Sequence, residues 1–552
     1  MLNKSLSHFI LIAAFSIIAM LPSYFGGVPV ANDQTQHYQF TWTIFDGIRS
    51  GDIYPSVAGE TNHKFGDVGL RFYPPLTYYW LSIVYFVASD WYVASLIAFT
   101  FVFFLGGVGI YLWARDELGP TSGLIAALIY TLAPYHLNQI YNNFLLAEFF
   151  ATAIIPFCFL FLTRVCRDGR LINVVGLTIS YSVLILTHLP MTVLCSLAMG
   201  LHAVLLLRRG NILSTIAKLG TSVLTAMLMT SFYWGRWQPE LQWIKLAMPK
   251  YFAATWDYSA NFLLRPSHFM DFANDSSNLW FADAMLIVML LAALPTAIYL
   301  AMRKIEMSRF MIALSAVLAV SIVMTTPLTA FIWDNVSFLQ KMQFPSRLLA
   351  IVSAFGAVFA AVGIAKASEA VNAGRNILVT VGLGFVLSVF FFAAVFVPKG
   401  SVFKSQAALN HEMATISDSE GCECWWPIWA ERSAFAHTER VEVMGRTVDV
   451  ASWAAADKHF KIDAGDAGTA TVATFYYPRW QATVNGKAVA VSPDESGLIS
   501  LPVPAESSEV ELTFREPSYV RVANIASVLA WLLVLAFGVI LLLKSRRTVS
   551  AV

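Results

Sequence analysis

The sequence predicts a mainly α-helical, polytopic membrane protein of about 12 transmembrane helices, with an extracytoplasmic antiparallel β-sandwich before the last helix. Three observations lead there. Of its 552 residues, 57% are hydrophobic and 13% charged, whereas soluble domains carry roughly a quarter charged residues; mean hydropathy is +0.63. Apolar runs that approach the length of a membrane helix, about 20 residues, recur along the chain. Residues 398–522 then change to short alternating runs bounded by turn residues. A net charge of +1 gives no basic surface for nucleic acid.

Twelve spans are expected: 8–27, 92–114, 122–138, 147–164, 173–188, 191–207, 212–232, 281–302, 309–327, 346–366, 376–397 and 523–543. With Lys4 in the cytoplasm, Arg115, the Arg164–Arg170 cluster, Arg208, Arg209, Arg303, Lys304, Arg309, Lys366 and Arg375 all fall inside. So do Lys544, Arg546 and Arg547 of the tail, in line with the positive-inside rule. The run "PPLTYYWLSIVYFVAS", 74–89, opens with two prolines and is short for a span, so it reads as a helix lying on the outer face. The first run can also be read as a signal peptide cleaved after "PVA", 29–31; the later topology is unchanged. The expected setting is the inner (cytoplasmic) membrane of the cell, with both termini cytoplasmic and function on the periplasmic or extracellular face.

The expected domains are a transmembrane unit, 1–397, with a long first outer loop at 28–91; the β-sandwich, 398–522; and a final helix with a basic tail, 523–552. Within the sandwich, Asn485–Gly486 between strand-like flanks is a hairpin signal. "CECWWPIW", 422–429, reads either as an interfacial aromatic belt or as a sugar-stacking surface. Cys422 and Cys424 form neither a zinc pattern nor a disulfide framework, and their tight spacing makes a bridge between them a minor alternative. Cys158, Cys166 and Cys195 read as small core residues.

The outer face gathers the candidate chemistry. Asp33, in "VPVANDQTQHYQF", is either the cap of the next helix, in a capping box with Gln36, or a reactive carboxylate; a cap can also hold a catalyst in place. His37, one turn on, is a weaker candidate. Arg71, in "LRFYPPL" beside Tyr73, is either a headgroup anchor or a phosphate clamp. Glu148, in "YNNFLLAEFFA" with Asn143, is an acid close to hydrocarbon and hence a site candidate, although a helix N-terminus also favours it. His188, in "THLP", is a turn residue or a ligand. Gln343 and Arg347 stand at another outer helix start in "KMQFPSRLLAI", where the helix dipole does not explain an arginine.

In this order the stretches "NDQTQH", "FYPPLTYY", "YNNFLLAEFFA", "THLP", "MQFPSR" and "FYYPRWQATVNGKAV" resemble the GT-C superfamily of membrane glycosyltransferases. They are similar in particular to the bacterial membrane proteins related to 6-pyruvoyl-tetrahydropterin synthase, a label not read as their activity, and to the YfhO-type family. The resemblance covers nearly the whole chain. Asp33 then matches the first-loop acid and Glu148 the second-loop acid. Related sequences often carry Arg-Gly where this chain has Asn143-Phe144; if that arginine binds the donor phosphate, Arg71 or Arg347 must take its place for activity.

The resemblance implies transfer of a sugar from a polyprenyl-phosphate donor to a glycan, lipid or protein acceptor, by inversion. Asp33 is the expected base, and Glu148 the second acid. Arg71 and Arg347 are expected at the leaving phosphate, with His37, Tyr73, Asn143, His188 and Gln343 as further substrate contacts. No cofactor is required by the spacing; a divalent metal, if present, would use Asp33 and Glu148. Membrane lipids are the remaining expected partners. The alternative class is a non-catalytic factor for polysaccharide or lipid export or assembly. The two separate on whether Asp33 and Glu148 converge on one outward cavity.

Overall fold

The computed structural model describes residues 2–248, 251, 256–270, 279–369 and 397–549. The expected span 376–397 lies outside these, save its last residue. Helix α1 (Leu2–Gly26) leads into a three-residue strand, β1 (Val28–Val30), and α2 (Gln34–Ser50). There follow α3 (Leu76–Ala88), α4 (Trp91–Leu118), α5 (Pro120–Thr131), α6 (Pro134–Tyr141), α7 (Leu146–Asp168), α8 (Leu171–Ile185), α9 (Leu189–Leu206), α10 (Ile212–Met229) and α11 (Ser231–Trp237). Beyond them come α12 (Pro266–Met270), α13 (Leu279–Met302), α14 (Arg309–Met324), α15 (Ala330–Asn335), α16 (Ser337–Gln340), α17 (Leu349–Glu369) and the final helix, Ser518–Val549.

Among the described residues eight helices are long and apolar enough to cross a membrane: α1, α4, α7, α9, α10, α13, the segment Pro345–Ala367 and Ser518–Ser545. The expected span 309–327 is α14 followed, after a 91° bend, by Pro327–Asn335; Pro327 has no N–H to continue the first helix. The expected span 122–138 is likewise divided. Ala133 is extended before Pro134, which opens α6, because the residue before a proline is pushed out of helical conformation. The span expected at 173–188 is the 15-residue α8, and the run 74–89 forms the 13-residue α3. Asp90 caps α4 through Val93 N–H at 2.9 Å, and Gly51 closes α2 in a left-handed conformation (φ +88°) that favours glycine. Arg164 and Arg167 pair with Asp116 and Glu117, joining the C-terminal ends of α7 and α4.

Strand β1 pairs antiparallel with β2 (Val402–Lys404). The C-terminal region holds two antiparallel sheets. One, in order β3 (Val441–Val443), β6 (Gly468–Phe475), β10 (Leu498–Val503), β9 (Ser492–Pro493), faces the other, β4 (Val448–Trp453), β5 (Asp457–Ile462), β11 (Ser508–Phe514), β7 (Trp480–Val484), β8 (Lys487–Val489). Val472, Ile499 and Leu501 from the first meet Phe460, Trp480 and Leu512 from the second in one core. The alternating burial of β11 and β7 is the period-2 signature of half-buried strands. Asn485 and Gly486, both at positive φ, make the hairpin turn between β7 and β8.

Candidate active site

The β1–β2 pairing fixes where Asp33 stands. Just beyond β1, Gln34 Nε2 and Thr35 Oγ1 donate to Glu412 at 3.0 and 3.2 Å. Lys404 Nζ donates to Glu412 at 2.6 Å and to Gln34 Oε1 at 2.7 Å. Asp33 occupies the cap position of α2, but its side chain accepts no capping bond. Gln36 is also elsewhere, accepting from Cys422 N–H at 2.6 Å. The expected capping box does not form. Asp33 is exposed at the surface, although protein packs closely around its carboxyl. That enclosure raises its pKa to about 6; Arg347 pulls it down and Glu148 pushes it up. Arg347 and Glu148 are thus electrostatic neighbours of Asp33.

Glu148, in the first turn of α7, is buried. Its Oε1 accepts from the Tyr135 hydroxyl and from Gln139 Nε2, the latter at 2.6 Å. Its Oε2 accepts from Arg347 Nε at 2.8 Å. Arg347 Nη1 donates to the Met342 carbonyl and, at 3.4 Å, to Gln343 Oε1. Nη2 has no hydrogen bond among the described residues. Glu148 therefore fixes Arg347, and both of its oxygens are engaged within the protein. Tyr135 and Gln139, spaced one turn apart on α6, were not singled out by the sequence reading. Their spacing of four was the available signal.

His37 is fully committed. Its Nε2 accepts from Leu146 N–H at 3.2 Å and its Nδ1 meets the Tyr78 hydroxyl at 2.8 Å. Burial holds its pKa down at about 3, so it stays neutral with the proton on Nδ1. It ties α2 to the first N–H of α7, the helix that carries Glu148. His188 caps α9, with Nδ1 accepting from Met191 N–H at 3.3 Å. Burial first, then Arg347 and His37, keep its pKa well below the usual range. The neutral ring carries its proton on Nε2, a donor with no partner among the described residues. Tyr73 packs its ring on His37, Phe40, Tyr78 and Trp425. Its hydroxyl feels Asp33, Arg347 and Glu148 and makes no hydrogen bond among the described residues. Asn143 donates to Gln139 Oε1 at 3.2 Å and so joins the Glu148 group. Gln343 sits at φ +64° beside Arg347.

Arg71 is not brought into this group. It is completely buried and bonds Glu240 at 2.7 and 3.0 Å and both oxygens of Glu516. Arg479 and Tyr477 complete Glu240 at 2.7 and 2.8 Å. Its expected role as a phosphate clamp is corrected to an internal tie between the first loop and the C-terminal sheets. "CECWWPIW" is corrected too. Cys422 and Cys424 are disulfide-bonded, Trp426 is core against Phe435 and Phe475, and Trp425 covers Tyr73. Among the described residues no three His, Cys, Asp or Glu side chains are grouped to hold a metal ion.

The family model described as "6-pyruvoyl-tetrahydropterin synthase related domain; membrane protein" matches residues 70–401. An uncharacterized protein of Lactococcus lactis subsp. cremoris (strain MG1363) is 22% identical, over 41% of this chain and 38% of that protein. The chain thus spans well under half the length of that curated relative. Among solved structures, ArnT from Cupriavidus metallidurans bound to undecaprenyl phosphate aligns with a TM-score of 0.44 and 13% identity, covering 74% of this chain and 77% of that one. The archaeal oligosaccharyltransferase AglB from Archaeoglobus fulgidus, in complex with an inhibitory peptide and a dolichol-phosphate, aligns with a TM-score of 0.38 and 14% identity. It covers 75% of this chain and 56% of AglB.

Proposed function

We propose that this chain, which belongs to the 6-pyruvoyl-tetrahydropterin synthase related family of membrane proteins, is a membrane glycosyltransferase acting on the outer face. It moves a sugar from a polyprenyl-phosphate donor to an extracytoplasmic glycan, lipid or protein acceptor. One observation carries the reading: an accessible carboxylate, Asp33, stands within the field of a guanidinium, Arg347, that Glu148 holds in place. A base and an anion-stabilising cation side by side are what displacement of a phosphate from a sugar needs. The motif resemblance supplies the donor class.

In the proposed step Asp33 takes the proton of the acceptor hydroxyl. The oxygen bonds the anomeric carbon as the bond from that carbon to the phosphate oxygen breaks. The electron pair leaves on the lipid phosphate, where Arg347 Nη2, the Tyr73 hydroxyl and His188 Nε2–H offer donors. No step is routed through a metal. The test is lipid and glycan mass spectrometry of a deletion strain complemented with wild type or with Asp33→Asn. Expected is the same loss of one glycan form, with donor lipid accumulating, in the deletion and in D33N. Full complementation by D33N would overturn the assignment.

A further inference from the structure

A polar recess lies apart from Asp33, where the sandwich meets the final helix. It is a cleft of about 540 Å³ lined by Arg479, Arg515, Arg521, Glu516 and Asn524 among others. Trp480 pairs with Phe514 at the end of the β7–β11 ladder, and Arg515 N–H donates to the Arg479 carbonyl at 3.0 Å one step further. The two arginines are therefore cross-strand neighbours. Like charges opposite each other disfavour a sheet unless a counter-charge lies between them.

Of the acids at hand, Glu240 answers Arg479 at 2.7 Å, but none reaches Arg515 among the described residues. Glu516 is taken by Arg71 and Ser56, with Arg236 also at 3.4 Å. Glu240, behind Arg479, is taken by Arg71, Arg479 and Tyr477. Arg515 and Arg521 are exposed and have no side-chain partner among the described residues, and the buried Asn524 Oδ1 has none either. Immediately beyond, the helix turns outward with Val522, Ile525, Val528 and Leu529, each more than half exposed. On a membrane-spanning helix such residues face acyl chains, which sets the arginines at headgroup depth.

We propose that this cleft binds a phosphate group, presented by an anionic phospholipid of the outer leaflet, between Arg515 and Arg521. Guanidinium forks match phosphate oxygens, and the apolar helix surface below accepts the acyl chains. The lipid then braces the sandwich against the bilayer at the point where Arg71 ties it to the first loop.

The test uses the full chain in detergent micelles, titrated with a fluorescent phosphatidylglycerol, with inorganic phosphate as competitor. The R515Q/R521Q double variant should bind phosphatidylglycerol about tenfold or more weakly with an unchanged melting temperature, since both residues are exposed. R515K/R521K should recover much of the loss, as charge is kept. Failure of millimolar phosphate to displace the lipid assigns the site to the lipid headgroup; displacement assigns it to free phosphate. Affinity of R515Q/R521Q within twofold of wild type would overturn the proposal.

Discussion

Arg347 donates from Nε to Glu148 at 2.8 Å across 199 positions of sequence, and the charge of both is felt at Asp33. The pair fixes a cation beside an accessible acid. Remaining donors nearby, His188 Nε2–H and the Tyr73 hydroxyl, have no hydrogen-bond partner among the described residues.

Replacing Asp33 by asparagine should lower turnover by on the order of 10²–10⁴-fold, the usual worth of a positioned base. The side chain caps nothing, so helix content and expression should be unchanged. Near-normal turnover of purified D33N with a polyprenyl-phosphate sugar would remove Asp33 from the chemistry.

Rate should fall on acidification through about pH 6, where Asp33 takes up a proton, and not near pH 4, where an ordinary carboxyl titrates. The stability sign is opposite. With a folded pKa above the unfolded one, Asp33 makes stability decline as pH rises between these values, and the cost persists above them. D33N should therefore melt at an equal or higher temperature than wild type at pH 7, and the difference should vanish below about pH 4. A pH-rate profile and a melting series at several pH values check both.

Truncating Glu148 to alanine leaves Arg347 buried without its partner, and the loss of stability should be about 3–5 kcal/mol. E148A/R347A should lose less than the sum of the single losses. Additive losses would mean that the pair is not coupled.

Tyr73→Phe removes a hydroxyl that bonds nothing among the described residues, so folding should be retained. If that hydroxyl meets the leaving phosphate, kcat/KM should drop by roughly ten- to a hundredfold, the worth of a hydrogen bond to a charged group. Unchanged kinetics would leave Tyr73 as a packing residue against His37 and Trp425.

Arg71→Ala should act on assembly. With Glu240 and Glu516 left short of a cation in a buried site, the C-terminal sheets should loosen from the first loop, with a loss of about 3–5 kcal/mol. Limited proteolysis near residues 398–440 should report it. An intact, stable R71A with weakened donor binding would instead restore the clamp reading.

The mainly helical class, the antiparallel C-terminal sheets and the Asn485–Gly486 hairpin were legible because each rests on local pattern: apolar length, period-2 alternation and turn chemistry. Asp33, Glu148 and Arg347 were legible as charges beside apolar runs, where a charge is costly. What each charge does was not. Arg71 and Arg347 look alike in sequence, and only the fold brings Glu240 and Glu516 to one and Glu148 to the other. His37 could not be told from a ligand without knowing that Leu146 N–H would find it. The division of the run 122–138 was foreshadowed by Pro134, which a hydropathy window averages away.

The ribbon of Val28–Val30 with Val402–Lys404 also bears on the order of assembly. A chain made from its N-terminus inserts α1 first, yet the strand that anchors Asp33 and the Glu412 that grips Gln34 and Thr35 are synthesised hundreds of residues later. Contacts of such separation form late. Asp33 is thus set in place only after most of the chain has been inserted, so a truncated translation product carries the acid without the neighbours that position it.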